Sequence, residues 1–261
     1  MKNYFFIGLL FISIACTKSN PEPVKDNCKI LSATLSSTKK LTFNYSGDLI
    51  STVNYFISDV EYNARLSRNT KGQLIKSEWF YEESLVLSED YSYTGDHITR
   101  VDYMYDSGDT GFNRIEYNAN GEMTKFTYEG DGEPTYPYVI FEYNSDGSLI
   151  KTEEIGADGS ILLRKIVKPS AILTSPEKLI KNAGLPYDLF YGLPFKTVLG
   201  GDGTVVETYY SNSDGELELY TTGTVSQSKI NSRNYLESYI VTVTGGSNFT
   251  NSTIYVLDGC E

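Results

Sequence analysis

The chain reads as alternation with punctuation. Leu41, Phe43 and Tyr45 share one parity, with Thr42 and Asn44 on the other. Tyr91 and Tyr93, Ile115 and Tyr117, and Phe141 and Tyr143 repeat the pattern. Period-two alternation of aromatic and β-branched residues places successive side chains on opposite faces of a strand. Five times between residues 40 and 152 such a stretch runs into a glycine-centred turn, at Gly47, Gly72, Gly95, Gly121 and Gly147. An apolar residue usually follows two positions later, as Leu49, Leu74, Met123 and Leu149. Spacings of 25, 23, 26 and 26 residues between these glycines mark a repeat of one hairpin-sized unit per copy. The Asn/Asp-Gly elements supply the positive backbone torsions that tight hairpins need.

The pattern therefore predicts an all-β fold, a curved antiparallel β-meander of repeated hairpins. Whether it curls as far as a barrel stays open. Gly156 to Leu163 reads as a weaker sixth copy, and the pattern breaks over about 168–200. There Ser175, Pro176 and Gly184 are placed to cap, start and stop a short helix. Leu185 to Tyr191 is apolar enough to pack down and cover an open face or end of the sheet. Strands resume with Gly203-Thr204-Val205 and Gly215-Glu216-Leu217, so residues 28–261 are expected to be one domain.

Residues 1–15 are expected to be a signal peptide. Lys2 precedes an uncharged run from Tyr4 to Ile14, too short to span a bilayer as a helix. Ser13-Ile14-Ala15-Cys16 resembles the lipobox of bacterial lipoproteins, which implies lipid attachment at Cys16. The alternative is an ordinary secretory signal with an incidental cysteine. Residues 16–27 are polar, contain Pro21 and Pro23, and read as a flexible tether. Export makes a disulfide between the remaining cysteines, Cys28 and Cys260, the expected pairing, with two free buried thiols as the alternative.

Composition removes further classes. Lys and Arg number 22 against 34 Asp and Glu, a net charge of −12, which offers nucleic acid no footprint. The strands show no outward apolar band between aromatic girdles, so an outer-membrane channel is not expected. The only histidine is His97, at the turn position filled elsewhere by leucine or methionine. It reads as a turn-flanking packing residue, and a histidine-based triad or zinc site is not supported. No cofactor is expected. Glu142, Asn144, Asp146 and Glu153 match the spacing of a calcium loop, but their flanks alternate like strands rather than helices.

The aromatic strand, Asn-x-Asp-Gly turn and following Leu resemble the tyrosine–aspartate (YD/RHS-like) repeats of bacterial surface proteins. Behind a lipobox they resemble a family of Bacteroidetes lipoproteins of unknown function with a porin-like β fold. The Asp that often follows Tyr in YD repeats is Ser46, Thr94, Asn118 or Asn144 here. The resemblance implies an exported β-sheet protein of the cell envelope, an outer-membrane lipoprotein whose orientation is open, and it brings no catalytic residues. Its membrane contact would be the lipid alone. The expected function is a non-catalytic binding or structural module for a glycan, a peptide or an envelope partner. Trp79, Tyr136, Tyr138, Tyr187 and Tyr191, which stand outside the repeat spacing, are the candidate contacts. The alternative is a carboxylate-dependent glycan hydrolase.

Overall fold

The computed structural model describes residues 28–130, 137–145, 147–170, 201–246 and 248–260. The signal peptide, Cys16, the tether and the expected helix at 175–184 lie outside the described residues. The rest is β-structure. The first eight strands are β1 (Lys29–Ser36), β2 (Lys39–Ser46), β3 (Leu49–Ile57), β4 (Val60–Arg68), β5 (Leu74–Tyr81), β6 (Ser84–Thr94), β7 (His97–Tyr105) and β8 (Thr110–Tyr117). The second eight are β9 (Met123–Gly130), β10 (Tyr138–Tyr143), β11 (Leu149–Ile155), β12 (Ile161–Lys168), β13 (Val205–Ser211), β14 (Leu217–Ile230), β15 (Leu236–Gly245) and β16 (Phe249–Asp258). Each pairs antiparallel with its chain neighbours, and β1 pairs with β16, so the meander closes into a barrel. Closure removes the exposed edges that an open meander would carry.

Every second residue of a strand faces inward. Phe43, Val53, Ala64 and Trp79 form one cross-strand row of buried side chains on β2 to β5. Sixteen strands in a round barrel leave a wide lumen. Here Ile30, Ala33, Leu41, Ile50, Val53 and Leu74 are at most 1% exposed, so the walls meet and apolar side chains fill the space between them. The outward parity carries paired polar groups beside exposed apolar side chains such as Leu31, Ile75, Met104, Ile254 and Val256. Asn44 donates to Thr52, Asn63 to Asn54 and Asn54 to Glu61. Arg114 pairs with Glu129 and Lys151 with Glu142.

The repeat glycines all fall at one end. Gly47 and Gly95 open two-residue turns with φ of 64° and 62°, the conformation a type II′ hairpin requires at its first central residue. Gly72, Gly121 and Gly147 close longer turns begun by Asn69, Asn118 and Asn144. The asparagine oxygens accept backbone amides further round the turn, Gln73 at 3.0 Å, Glu122 at 3.0 Å and Ser148 at 2.8 Å. The two turn types differ by one residue in where they bury the following side chain. After Gly72, Gly121 and Gly147 the inward residue is two positions on, Leu74, Met123 and Leu149. After Gly47 and Gly95 it is three positions on, Ile50 and Ile98. His97 therefore shares its place with Leu49 and not with the buried Leu74, Met123 and Leu149, and it flanks its turn as a packing residue. His97 is exposed and stacks on Tyr117, with ring centroids 4.7 Å apart.

The repeated tyrosines tie this end together. Tyr45 donates to the Ile30 carbonyl at 2.9 Å, Tyr93 to Leu74 at 2.8 Å, Tyr117 to Ile98 at 2.9 Å and Tyr143 to Met123 at 2.8 Å. In the copy that lacks the tyrosine, the Arg68 guanidinium makes the same reach, to the Ile50 carbonyl at 2.9 Å. Each bond joins the end of one strand to the start of the strand before it. The Cys28–Cys260 disulfide closes the ring at the β1–β16 seam, with Cα atoms 4.5 Å apart. Ser170, beside the 171–200 segment, is bonded to Gly201 and Thr204 at the same end. The Gly159 and Gly215 turns sit at the opposite end, half a repeat out of phase, although their sequences look alike.

Candidate binding mouth

Burial of the inward residues falls steadily from the glycine-turn end to the other. Along β5, Leu74 is 1% exposed, Trp79 8% and Tyr81 38%. On β7, exposure rises from 2% at Val101 to 47% at Tyr105, and on β9 from 2% at Phe126 to 36% at Tyr128. Inward side chains with open surface at one end mean that the walls splay there. One end of the barrel is sealed and the other is a mouth, and the mouth is lined with tyrosine. Tyr62 lies against Tyr81 with ring centroids 5.7 Å apart, Tyr103 edge-on to Tyr105 at 5.6 Å, and Tyr210 edge-on to Tyr220 at 5.0 Å. Gly111 and Gly130 sit opposite each other on β8 and β9, and the Tyr103 ring fills the space a side chain at Gly111 would need.

Below the rim, polar groups interrupt the apolar wall. On β6 the Glu89 carboxylate accepts from Ser77 at 2.5 Å, Tyr91 at 2.9 Å and the Trp79 indole at 3.3 Å. Burial, then the nearby carboxylate, pushes the Tyr91 phenol well above its ordinary value. A second polar area lies on β8 to β13. Lys165 faces inward between Thr152 and Thr208, with Glu154 diagonally across on β11. Burial lowers the Lys165 amine from its ordinary value, and Glu154 partly offsets this. Burial and the same carboxylate raise the Tyr128 phenol. Tyr128 pairs across the strands with Asn113, whose side-chain oxygen is buried and accepts no hydrogen bond.

Five of the described rim turns are acidic, while Ser37-Thr38 between β1 and β2 and the described residues between β15 and β16 carry no acid. Ser58-Asp59 and Glu82-Glu83 make two-residue turns with positive φ at both positions, a conformation usually given to Asn and Gly. Asp106, Asp109, Asp158 and Asp214 lie in the other rim turns. Outside the rim, Asp59, Glu61, Glu82 and Glu83 border a depression of about 510 Å³ floored by Phe80, over whose ring Arg65 lies at 4.3 Å.

Of the residues singled out from sequence, Trp79 is on the inner wall just below the rim, bonded to Glu89. Tyr138 faces outward under the Lys125 amine, 4.2 Å from its ring centroid. Tyr136, Tyr187, Tyr191 and Asp146 lie outside the described residues. The other members of the calcium pattern already have protein partners. Glu142 pairs with Lys151, Glu153 with Arg164 at 2.5 Å, and the Asn144 oxygen holds the Ser148 amide. Among the described residues no group of His, Cys, Asp and Glu is placed to hold a metal. Sequence reasoning missed Tyr81, Tyr105, Tyr128, Glu89, Glu154 and Lys165. The available signal was a charged residue on the inward parity, as with Lys165 between Leu163 and Val167.

Neither a protein-family model nor a curated protein matches the sequence. Among solved structures, the chain is similar to a porin-like protein from Bacteroides uniformis ATCC 8492, with 10% identity over 88% of this chain and 96% of that one, at a TM-score of 0.34. A porin-like protein from Bacteroides vulgatus ATCC 8482 gives 11% identity over 87% and 98%, at 0.36. A TcdB2-TccC3-TEV structure matches 78% of this chain and 12% of its own length, with 9% identity and a TM-score of 0.32. At these scores the likenesses say nothing about activity or ligand.

Proposed function

We propose that this chain is a non-catalytic binding module of the cell envelope that receives its ligand through the tyrosine-lined mouth. In this reading residues 1–15 direct export, Cys16 carries the lipid, and residues 16–27 tether the barrel to the outer membrane. The ligand is a glycan, a peptide or an envelope partner. The supporting observation is the exposure gradient along the inner wall, from a sealed apolar end to open tyrosines. Tyrosines offer an apolar face and a polar tip to a ligand. The paired polar groups of the outer wall favour a water-facing barrel hung from a lipid over one that spans the bilayer.

The experiment passes fractionated envelope glycans and peptides over the immobilised full chain. Retention should disappear in a Tyr105→Ala/Tyr128→Ala double variant and persist in Tyr138→Ala, which alters only the outer wall. Retained molecules should elute unshortened. Equal retention by all three proteins would refute the mouth as the site, and shortened glycans would replace the reading with hydrolysis. In fractionated cells, Cys16→Ser should leave the membrane pellet.

A further inference from the structure

We propose that the outward face of β15, β16 and β1 is a membrane-contact surface, which lays the barrel against a bilayer carrying anionic headgroups without crossing it. This rests on attachment at Cys16 and is independent of what the mouth binds. Residues 238–244, 249–257 and 30–38, on three neighbouring strands, include no charged side chain. The outer wall of β5 to β13 is instead laced with ion pairs, Lys76 with Glu78, Arg100 with Asp102, Arg114 with Glu129, Lys151 with Glu142 and Lys168 with Glu207. On the uncharged face Leu31, Ile254 and Val256 keep between 40% and 49% of their surface exposed. The strand register brings them together. Val256 stands opposite Ser32 and Ile254 opposite Thr34, beside the bulge at Leu31.

One cross-strand row frames the face with charge. It runs through Lys229, Ser238, Ile254, Thr34 and Lys40, on β14, β15, β16, β1 and β2. A lysine therefore stands at each end of the row, about 19 Å apart at the usual strand spacing. Both lysines are exposed, and neither has an ion-pair partner among the described residues. Aliphatic side chains between two ammonium groups suit the boundary of acyl chains and phosphates, where the negative surface potential attracts each lysine. Acids return at the sealed end of the face as Glu237 and Asp258, with Lys29 opposite Asp258. The chain itself brings this face to the membrane. Cys28 precedes β1 and is bonded to Cys260 after β16, so the tether leaves from the seam on which the face is centred. Cys16 and Cys28 are twelve residues apart, so a lipid on Cys16 holds the seam within about 40 Å of the bilayer. Contact is then intramolecular, and a weak affinity suffices. A second copy fits less well, because stable protein interfaces use roughly 20–30 residues a side and three aliphatic side chains are few.

The test reconstitutes the full chain as exported, through its Cys16 lipid, in vesicles of brominated phosphatidylcholine and phosphatidylglycerol. A chain without that lipid would fail the anchor reading. Coupling the Cys16 thiol to a maleimide lipid then tests the face by itself, since Cys28 and Cys260 are bonded to each other and do not compete. Bromine quenches an indole that reaches the acyl boundary. Ile254→Trp should be quenched roughly twofold or more beyond Met104→Trp, a similarly exposed position about halfway round the barrel on β7. Trp79, buried in the wall, is the background common to both. Adding Lys40→Glu and Lys229→Glu to Ile254→Trp should bring quenching down to the Met104→Trp level at an unchanged melting temperature. The first comparison alters no charge, so it decides the matter even if the lysine variant fails to fold. Equal quenching of Ile254→Trp and Met104→Trp would overturn the proposal, as would undiminished quenching in the folded lysine variant. Ile254→Trp emission that shifts with protein density and ignores bromine would assign the face to a second copy and overturn it too. Ligand retention in the Tyr105→Ala/Tyr128→Ala variant reports on the mouth separately.

Discussion

The tyrosine hydroxyls at the sealed end should carry measurable stability, and Tyr93→Phe isolates one of them. The substitution keeps the ring and deletes the 2.8 Å bond to the Leu74 carbonyl. A typical hydrogen bond contributes about 1 kcal/mol net, and leaving a buried carbonyl short of a partner raises the cost towards 2 kcal/mol. For a domain of this size each kcal/mol lowers the melting temperature by about 2–4 °C. Tyr93→Phe should therefore melt roughly 2–8 °C below the parent. Tyr45→Phe, which loses the bond to Ile30, should behave alike. These residues lie on β6 and β2, four strands apart, or about 19 Å along the sheet. At that separation the double variant should lose the sum of the single losses within about 0.5 kcal/mol. The assay is urea unfolding of the four proteins followed by circular dichroism. If Tyr93→Phe unfolds at the parent midpoint, the rings alone do the packing and the hydroxyl ties are incidental. If the double variant loses no more than one single variant, the ties do not act independently.

Two further outcomes follow from the same end of the barrel. Burial pushes the Tyr45 phenol up to about 12 and moves Tyr93 in the same direction, against the pull of the Arg68 guanidinium on Tyr93. The unfolded chain ionises near pH 10, so stability is fully present below that and is lost as pH rises from 10 to 12, by at most about 2–3 kcal/mol for Tyr45 before solvent screening of this half-buried phenol reduces it; a urea midpoint that stays flat over this range would contradict the burial. Reducing the Cys28–Cys260 bond, which spans 232 residues of sequence, should cost up to about 5 kcal/mol in the chain-entropy limit, less whatever closure the β1–β16 pairing retains. Unfolding with and without reductant measures it, and coincident curves would mean that strand pairing alone holds the seam.

Local chemistry made much of this fold legible. The Asn-x-x-Gly turns announce themselves because only a few residues adopt their torsions, and inward parity follows from Phe43, Ile115 and Phe141 by simple alternation. The Cys28–Cys260 bond was reachable from pair arithmetic and export context. Three things were not local. Closure depends on β1 meeting β16 across nearly the whole chain, and neither strand carries a mark of its partner. The Ser58-Asp59 and Glu82-Glu83 turns adopt hairpin torsions without Asn or Gly, so these two reversals had no signal as strong as Gly47. The one-residue offset between Ile50 and Leu74 arises from where the glycine sits in its turn, first of two residues at Gly47 but last before the closing Gln73 at Gly72, which period counting cannot see. The candidate site suffered most. Its tyrosines belong to the same alternation as the core, and they differ from Tyr93 or Tyr117 only in lying at the splayed end.

The disulfide at the seam has a mechanical corollary. A pull applied at Cys28 reaches β1 and β16 together, because the two cysteines are one covalent node. Peeling β1 away one backbone bond at a time, the easy route for a terminal strand, is closed to such a load. Two staves must shear against their outer neighbours, β2 and β15, and many ladder bonds must break at once. A vessel hung by this point would resist drag through its rupture strength, whatever its equilibrium stability.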